Sequence, residues 1–238
     1  MTELLDIYRI LKSKKWVDLT HQIDEASPHF PALPALEKRP IFTHKDGFFV
    51  QQFTVVGQYG THIDAPVHLD EIDLKDFLLP LYVIDKSDAV AANHDYEITK
   101  QDILDFEAVY GAIAPDSFIA FRSDWSKRWP SQDAIRNLDQ QGIQHTPGWS
   151  HEALEYLIEE RHVKAVGHET LDTDSGALAT KNNGNLVEEY YLLSKDIYQL
   201  EVLTNLDQVP ASGALISIAF PHWEKASGSP VRAVAILP

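Results

Sequence analysis

The chain has 238 residues, 44% of them hydrophobic and 24% charged, which is the composition of an ordinary globular protein and predicts one domain over residues 1–238. It contains no cysteine, which excludes disulfides, thiolate nucleophiles, iron–sulfur clusters and zinc fingers and fits a reducing cytoplasm. A formal net charge of −16 argues against nucleic acid and anionic membranes as partners. No apolar run approaches the roughly 18 residues of a membrane span, so we expect a cytoplasmic protein.

The first quarter of the chain is predicted to contain a helix, a loop and a hairpin. Apolar residues at positions 4, 7, 8 and 11 form one stripe of a helix. The proline-rich stretch 28–40 is predicted to be a loop. Residues 48–56 and the residues from Thr61 onward indicate a β-hairpin that turns around Gly57.

Short strands then alternate with helices along the rest of the chain. Five apolar runs have the length of strands, namely residues 81–84, 118–121, 163–166, 214–218 and 231–236. Thr99 and Asp102 have the spacing of a capping box at a helix start. Ser150 can cap a helix that runs through Arg161, and residues 186–194 form a further helix. The alternation indicates an α/β domain.

Residues 58–68, Gln-Tyr-Gly-Thr-His-Ile-Asp-Ala-Pro-Val-His, are the most informative segment. In an extended segment alternate residues share a face, and this face presents Gln58, Gly60, His62, Asp64, Pro66 and His68. Imidazole nitrogen and carboxylate oxygen are ligands of borderline divalent cations such as Zn²⁺ or Mn²⁺. Pro66 cannot donate a ladder hydrogen bond, so the segment should be an edge strand or leave the sheet there. The alternative is a surface strand with two unrelated histidines.

The segment resembles the signature His-x-Gly-Thr-His-x-Asp-x-Pro-x-His of the metal-dependent cyclase family, which includes bacterial kynurenine formamidase and is similar to isatin hydrolase. This chain matches every fixed position except the first, where Gln58 replaces histidine. The similarity continues in segments that begin at Trp16, Ser123, Ala165, Glu201 and Gly228. The resemblance implies a swivelling β/β/α fold around a mixed sheet.

The resemblance also implies a metal site. His62, Asp64 and Glu201 correspond to metal ligands, and Gln58 would be a weaker, neutral ligand in place of an imidazole. Glu189 stands twelve residues before Glu201, where the family has a histidine that binds a second metal. A carboxylate there could bind a cation, but an exposed helix glutamate is the commoner explanation. We therefore expect one Zn²⁺ or Mn²⁺ ion rather than two.

Four further residues are candidates for catalysis or substrate contact. His68 corresponds to the family's catalytic histidine, which would take and return a proton near neutral pH. Phe30 stands at the place of an aromatic substrate contact. Trp125 could belong to an aromatic wall for the substrate, although core or subunit packing explains it equally well. His168 follows a predicted strand, in a polar loop that could line the site.

Two classes of function follow from these observations. The first is a metal-dependent hydrolase of an amide or of a cyclic amide or ester, in which metal-bound water attacks the carbonyl and His68 transfers the proton. By resemblance its substrate is N-formylkynurenine or a related aryl amide, with an isatin or a lactone ring as the close alternative. The second class is a non-catalytic homologue that binds a metal or ligand, which Gln58 and Glu189 favour. A homodimer or homotetramer acting on a small molecule is expected.

Overall fold

The computed structural model describes residues 3–238. Its strands are β1 (Trp16–Asp18), β2 (Glu37–Phe42), β3 (Val50–Thr54), β4 (His62–Asp64), β5 (Leu78–Asp85), β6 (Glu97–Ile98), β7 (Phe118–Arg122), β8 (Gly148–Trp149), β9 (Ala165–His168), β10 (Tyr198–Glu201), β11 (Ala214–Ala219), β12 (Gly228–Pro230) and β13 (Arg232–Ile236). Its helices are α1 (Glu3–Ser13), α2 (Ser87–Ala92), α3 (Lys100–Tyr110), α4 (Gln132–Arg136), α5 (His151–Glu155), α6 (Gly176–Lys181) and α7 (Val187–Ser194). A π-helical turn, Tyr156–Glu160, continues α5. Five 3₁₀ turns are His44–Asp46, Leu69–Glu71, Leu74–Phe77, Trp125–Arg128 and Leu206–Gln208.

Nine strands form one mixed sheet in the order β1-β13-β11-β5-β7-β9-β10-β4-β12. The four consecutive strands β5, β7, β9 and β10 are parallel, and the strands on either side of them pair antiparallel. β2 with β3 and β6 with β8 form two separate two-stranded sheets. The α/β fold around a mixed sheet, of the swivelling β/β/α type, is thereby confirmed. No helix within residues 3–238 is long and apolar enough to cross a membrane.

Both faces of the large sheet are covered, as the alternation along β7 shows. Phe118 and Ala120 belong to one hydrophobic cluster, whereas Ile119 and Phe121 belong to the cluster on the other face. A strand that is buried on both faces has a continuous apolar sequence. The apolar run 118–121 therefore predicted this strand correctly. The run 163–166 is displaced by two residues from the observed β9.

The predicted helices are confirmed at their caps. The side chain of Thr99 accepts a hydrogen bond from the backbone N–H of Asp102, and the Asp102 carboxylate accepts one from the backbone N–H of Thr99, so a capping box begins α3. The Ser150 hydroxyl accepts from the backbone N–H of Ala153 at the start of α5. The helices predicted near the N-terminus and over residues 186–194 are observed as α1 and α7.

The predicted hairpin around Gly57 is wrong. β3 pairs with β2, so the end of the stretch 28–40, predicted to be a loop, is a strand. β4 lies inside the large sheet between β10 and β12, where Ile63 is fully buried. These partners of β4 are distant in sequence, so no local pattern could reveal them. The chain leaves the sheet after Asp64 and before Pro66, which was one of the two predicted outcomes.

Candidate metal centre

The central residues of the motif lie on β4, and the neighbouring β10 brings further polar side chains to the same face. Glu201 is the register partner of His62, and Gln199 is the partner of Asp64. Cross-strand partners share a face of a sheet. One imidazole, one amide and two carboxylates therefore project to the same side, and all four residues are buried.

His62, Asp64 and Glu201 form a compact cluster. One ligand atom from each residue lies within 4.8 Å of those of the other two. His62 Nε2 is 3.4 Å from Asp64 Oδ2 and 3.2 Å from Glu201 Oε2. Tetrahedral ligands placed about 2.1 Å from a zinc ion are themselves about 3.4 Å apart. The spacing of these atoms therefore suits three ligands of one ion.

The environment of His62 directs one particular nitrogen into the cluster. Its Nδ1 lies 2.9 Å from the carbonyl oxygen of Gly60, which can only accept, so Nδ1 carries the hydrogen and Nε2 faces the carboxylates. Burial lowers the pKa of His62, but the charges of Asp64 and Glu201 outweigh burial and hold that pKa well above its usual value. A metal cation would take the place of this proton, and its binding would release the proton.

Gln199 holds the two carboxylates of the cluster. Its Nε2 donates to Asp64 Oδ2 at 3.3 Å and to Glu201 Oε1 at 3.0 Å. Its Oε1 accepts a hydrogen bond from the Thr173 hydroxyl, which fixes the end of the amide that faces the carboxylates. Gln199 is not among the residues predicted from the sequence. Its position two residues before Glu201, on the same face of a strand, was the available signal.

His168 is buried beside the cluster. The Trp149 indole N–H points to His168 Nδ1 at 3.4 Å, and an indole nitrogen can only donate, so the hydrogen of a neutral His168 lies on Nε2. His168 Nε2 is 3.4 Å from Glu201 Oε1. His168 and Gln199 thus both face Oε1, while Oε2 faces His62. A direct contact of His168 with substrate stays a prediction.

Two more carboxylates face the cluster. Burial, followed by the charge of Glu201, raises the pKa of Asp172 to about 7. Burial, followed by the charges of Glu201 and Asp64, raises the pKa of Glu189 to about 9. Asp174 accepts hydrogen bonds from backbone N–H groups in the first turn of α7 and so positions Glu189. Glu189 is half-buried rather than fully exposed, and its role as a second-metal ligand stays a prediction.

The composition of the site fits a divalent cation. One imidazole nitrogen and two carboxylate oxygens, without sulfur, suit Zn²⁺ or Mn²⁺. Four carboxylates meet here, those of Asp64, Asp172, Glu189 and Glu201, and burial, followed by the charges of the neighbouring carboxylates, raises the pKa values of Asp172 and Glu189. Buried charges require partners, and a cation bound by His62, Asp64 and Glu201 would supply one.

Gln58 lies next to the cluster as a hydrogen-bond donor. Its Nε2 donates to Asp64 Oδ1 at 3.2 Å. A Cβ atom added to Gly228 would clash with Gln58 Nε2, so the absence of a side chain at Gly228 leaves the space that Gln58 occupies. The structure therefore brings Gln58 to Asp64, and its place in or just outside the metal coordination stays a prediction.

We expect Gln58→His to tighten Zn²⁺ binding. An imidazole nitrogen binds zinc more strongly than an amide oxygen does, and the exchange adds no formal charge. Competition against a chelator measures the change, and Gln58→Ala is the control that removes the amide without supplying a ligand. If the histidine variant binds zinc no better than the wild type, residue 58 does not reach the ion.

His68 lines a small cleft of its own. Its Nδ1 is 3.0 Å from Glu71 Oε1, and the cleft, about 190 Å³ in volume, also contains Lys164, Asp196 and Tyr198. Within residues 3–238, no member of the cluster lines it. His68 thus lines a cleft to which no member of the cluster contributes, and its catalytic role stays a prediction.

The two predicted aromatic substrate contacts differ in exposure. Phe30 is 54% exposed, whereas Trp125 is 1% exposed. The Trp125 indole N–H donates to the carbonyl oxygen of Ile135 at 2.9 Å, and the ring belongs to a hydrophobic cluster. This burial favours the packing explanation for Trp125, while Phe30 is accessible to a ligand.

An apolar recess of about 270 Å³ lies next to the strand that carries the cluster. Its wall includes Ile23, Leu36, Phe53, Val55, Trp223 and Pro230. Pro230 on β12 is the register partner of His62. Apolar and aromatic walls close to a few polar groups are typical of small-molecule sites.

Residues 17–175 match the model of the Cyclase family. The chain is 34% identical over 204 residues to isatin hydrolase of Roseibium aggregatum, covering 80% of this chain and 76% of that protein. Isatin hydrolase A from Ralstonia solanacearum superimposes with a TM-score of 0.92 at 30% identity, covering 100% of this chain and 98% of that one. An isatin hydrolase bound to the product analogue thioisatinate gives a TM-score of 0.91 at 27% identity, with 100% of both chains covered.

The chain therefore belongs to the Cyclase family. It is an enzyme, a metal-dependent hydrolase that acts on carbon–nitrogen bonds other than peptide bonds.

Proposed function

We propose that the enzyme opens the lactam ring of isatin or of a closely related aromatic lactam. The observation that carries the proposal is the buried cluster of His62, Asp64 and Glu201. The similarity to isatin hydrolases supports the substrate class, and the apolar recess beside β12 suits a planar aromatic ring.

A divalent ion bound at the cluster would polarise the lactam carbonyl and lower the pKa of a water molecule. The side chains of the enzyme orient the reacting groups around it. Gln199 donates to Glu201 Oε1 and to Asp64 Oδ2, and Gln58 donates to Asp64 Oδ1, so both carboxylates are held by hydrogen bonds. In the hydrolysis the water oxygen joins the carbonyl carbon, the carbon–nitrogen bond breaks, and one proton ends on the departing nitrogen.

The experiment that tests this function is turnover of a substrate panel by the purified protein. We expect hydrolysis of isatin, loss of activity on removal of the metal with a chelator, and recovery when Mn²⁺ or Zn²⁺ is restored. The panel includes an N-formyl aryl amine and an aromatic lactone. Absence of turnover on every compound with metal-loaded protein would contradict the enzymatic proposal.

Arylformamidase activity is the second candidate. An N-formyl aryl amine presents the same amide bond next to an aromatic ring, so the same recess and cluster would serve it. Faster turnover of the formamide than of isatin would assign the enzyme to this activity.

Four further properties stay predictions: the choice between Zn²⁺ and Mn²⁺, the number of ions, the single domain and the cytoplasmic location. We also propose a homo-oligomer.

A further inference from the structure

Residues 23–36, which we call the wall segment, form one side of the apolar recess. Ile23 and Asp24 near its start and Leu36 at its end line the recess. Phe30 lies between them in the chain and is 54% exposed. A large apolar side chain that is exposed beside such a recess is available to an aromatic ligand.

Gln132, the first residue of α4, holds the wall segment by a pair of hydrogen bonds. Its Oε1 accepts a hydrogen bond from the backbone N–H of His29 at 2.8 Å, and its Nε2 donates to the carbonyl oxygen of His29 at 2.8 Å. One side-chain amide thus binds both polar backbone groups of the residue before Phe30. The two bonds also fix the orientation of the amide, because the reverse orientation would set donor against donor and acceptor against acceptor.

The wall segment has few other anchors close to Phe30. In the described chain the six residues after His29 form one hydrogen bond, from the N–H of Leu33 to the carbonyl oxygen of Phe30, and this bond lies inside the segment. The ring of His29 also stacks on Tyr59, with the ring centroids 5.2 Å apart. The amide of Gln132 is therefore the nearest group outside the segment that fixes the backbone beside Phe30 by hydrogen bonds.

We propose that Gln132 is a positioning residue that holds Phe30 at the edge of the recess, where Phe30 packs on the aromatic ring of the substrate. This role rests on the proposed function, since it takes an aromatic lactam as the ligand of the recess. Aromatic rings attract each other only in certain relative positions, and a loop that is already held in place loses less entropy when the ligand binds. Neither residue belongs to the cluster of metal ligands, so Gln132 should affect substrate affinity rather than bond cleavage.

The first test is the steady-state kinetics of Gln132→Ala, which removes both hydrogen bonds. The net contribution of one hydrogen bond corresponds to about five-fold in an equilibrium constant, so we expect the KM for isatin to rise about 5- to 30-fold. The kcat should stay within about two-fold of the wild type, and the metal content should not change. Gln101→Ala is the matched control, because the amide of Gln101 near the start of α3 donates to Asp105 of the same helix. Thermal unfolding shows that both variants are folded.

A double-mutant cycle then tests whether Gln132 acts through Phe30. Phe30→Ala should raise KM by itself, and in that background Gln132→Ala should add less than about two-fold, because both changes remove the same contact. Gln132→Glu should match Gln132→Ala, since it sets a second oxygen against the carbonyl oxygen of His29. A wild-type KM in Gln132→Ala overturns the proposal, as does an equal rise in KM with and without the Phe30 ring.

A measurement without substrate separates this role from the proposed function. The chain has no cysteine, so Phe30→Cys introduces a single thiol for a nitroxide spin label. We expect the label to move faster in the Gln132→Ala background, whereas a label at Val109→Cys, at a residue of α3 that is 72% exposed, should keep the same motion. Unchanged motion at position 30 overturns the proposal even if the enzyme hydrolyses isatin. If no compound of the panel is turned over, the proposed function fails, and the label still decides whether Gln132 holds the wall segment.

Discussion

His62→Ala should lose both the bound metal and the hydrolytic activity. His62 is the one imidazole of the three-residue cluster, and its Nε2 lies between the carboxylates of Asp64 and Glu201. Removal of the ring leaves two buried carboxylates without their closest cationic partner and deletes the nitrogen ligand. We expect the metal content to fall from about one ion per chain to less than about 0.2. Turnover should fall by more than about 100-fold. Loss of a residue that only hydrogen-bonds to a metal ligand costs about 10- to 100-fold, and loss of a ligand itself should cost more.

Elemental analysis and the isatin assay on the same sample measure both effects. His222→Ala is the control, since it removes an exposed histidine that the cluster does not contain. Thermal unfolding of both variants separates loss of metal from loss of fold. A His62→Ala protein that keeps a full metal complement and wild-type turnover would show that the ion and the chemistry lie elsewhere.

His68→Ala is expected to lower turnover while the metal stays bound. General acid–base groups contribute about 10²–10⁴-fold to rate, and we predict a loss in this range. His68 is not one of the three clustered ligands, so the metal content should equal that of the wild type. The prediction requires His68 to act on a substrate bound at the cluster. In the described chain its ring faces Glu71, in a cleft that no cluster residue lines.

Glu71→Gln is the matched variant for this experiment. It removes the negative charge beside His68 Nδ1 but leaves the imidazole, so its effect should be smaller than that of His68→Ala. Loss of metal from His68→Ala would make His68 a ligand. Full turnover with full metal would instead assign the proton transfer to another group. Asp172 and Glu189 are candidates, because burial, followed by the charge of Glu201, raises their pKa values to about 7 and about 9.

Local patterns predicted those elements whose signal lies within a few residues. The capping box of Thr99 and Asp102, the cap at Ser150 and the apolar run of β7 are observed where the sequence placed them. Each depends on backbone hydrogen bonds between near neighbours or on burial of a continuous segment. The hairpin prediction failed because the pairing of β4 depends on strands far along the chain, which no local pattern encodes.

The candidate site likewise contains residues that the sequence predicts and residues that only the tertiary structure reveals. The pattern of residues 58–68 indicated His62 and Asp64, because a metal site needs particular ligand atoms. The resemblance to the cyclase family indicated Glu201, and the structure brings these three side chains together. Gln199 could not be predicted, because its role depends on the tertiary structure. Its amide donates hydrogen bonds to two carboxylates, those of Asp64 and Glu201, only once β4 and β10 are paired. Glu189 looked like an exposed helix residue until the docking of α7 brought it to the cluster.

By itself the sequence determined the chemical inventory: the ligand types, the absence of thiols, the net charge and the parity that places His62 and Asp64 on one face. The tertiary structure alone decided which groups meet. The register of β4 against β10 sets Glu201 opposite His62, and the fold places His68 in a cleft that no member of the cluster lines. The physical reason is that ligand identity is a property of single residues. The distances between these residues, their burial and the interactions between their charges are set only when strands and helices from distant parts of the chain pack together.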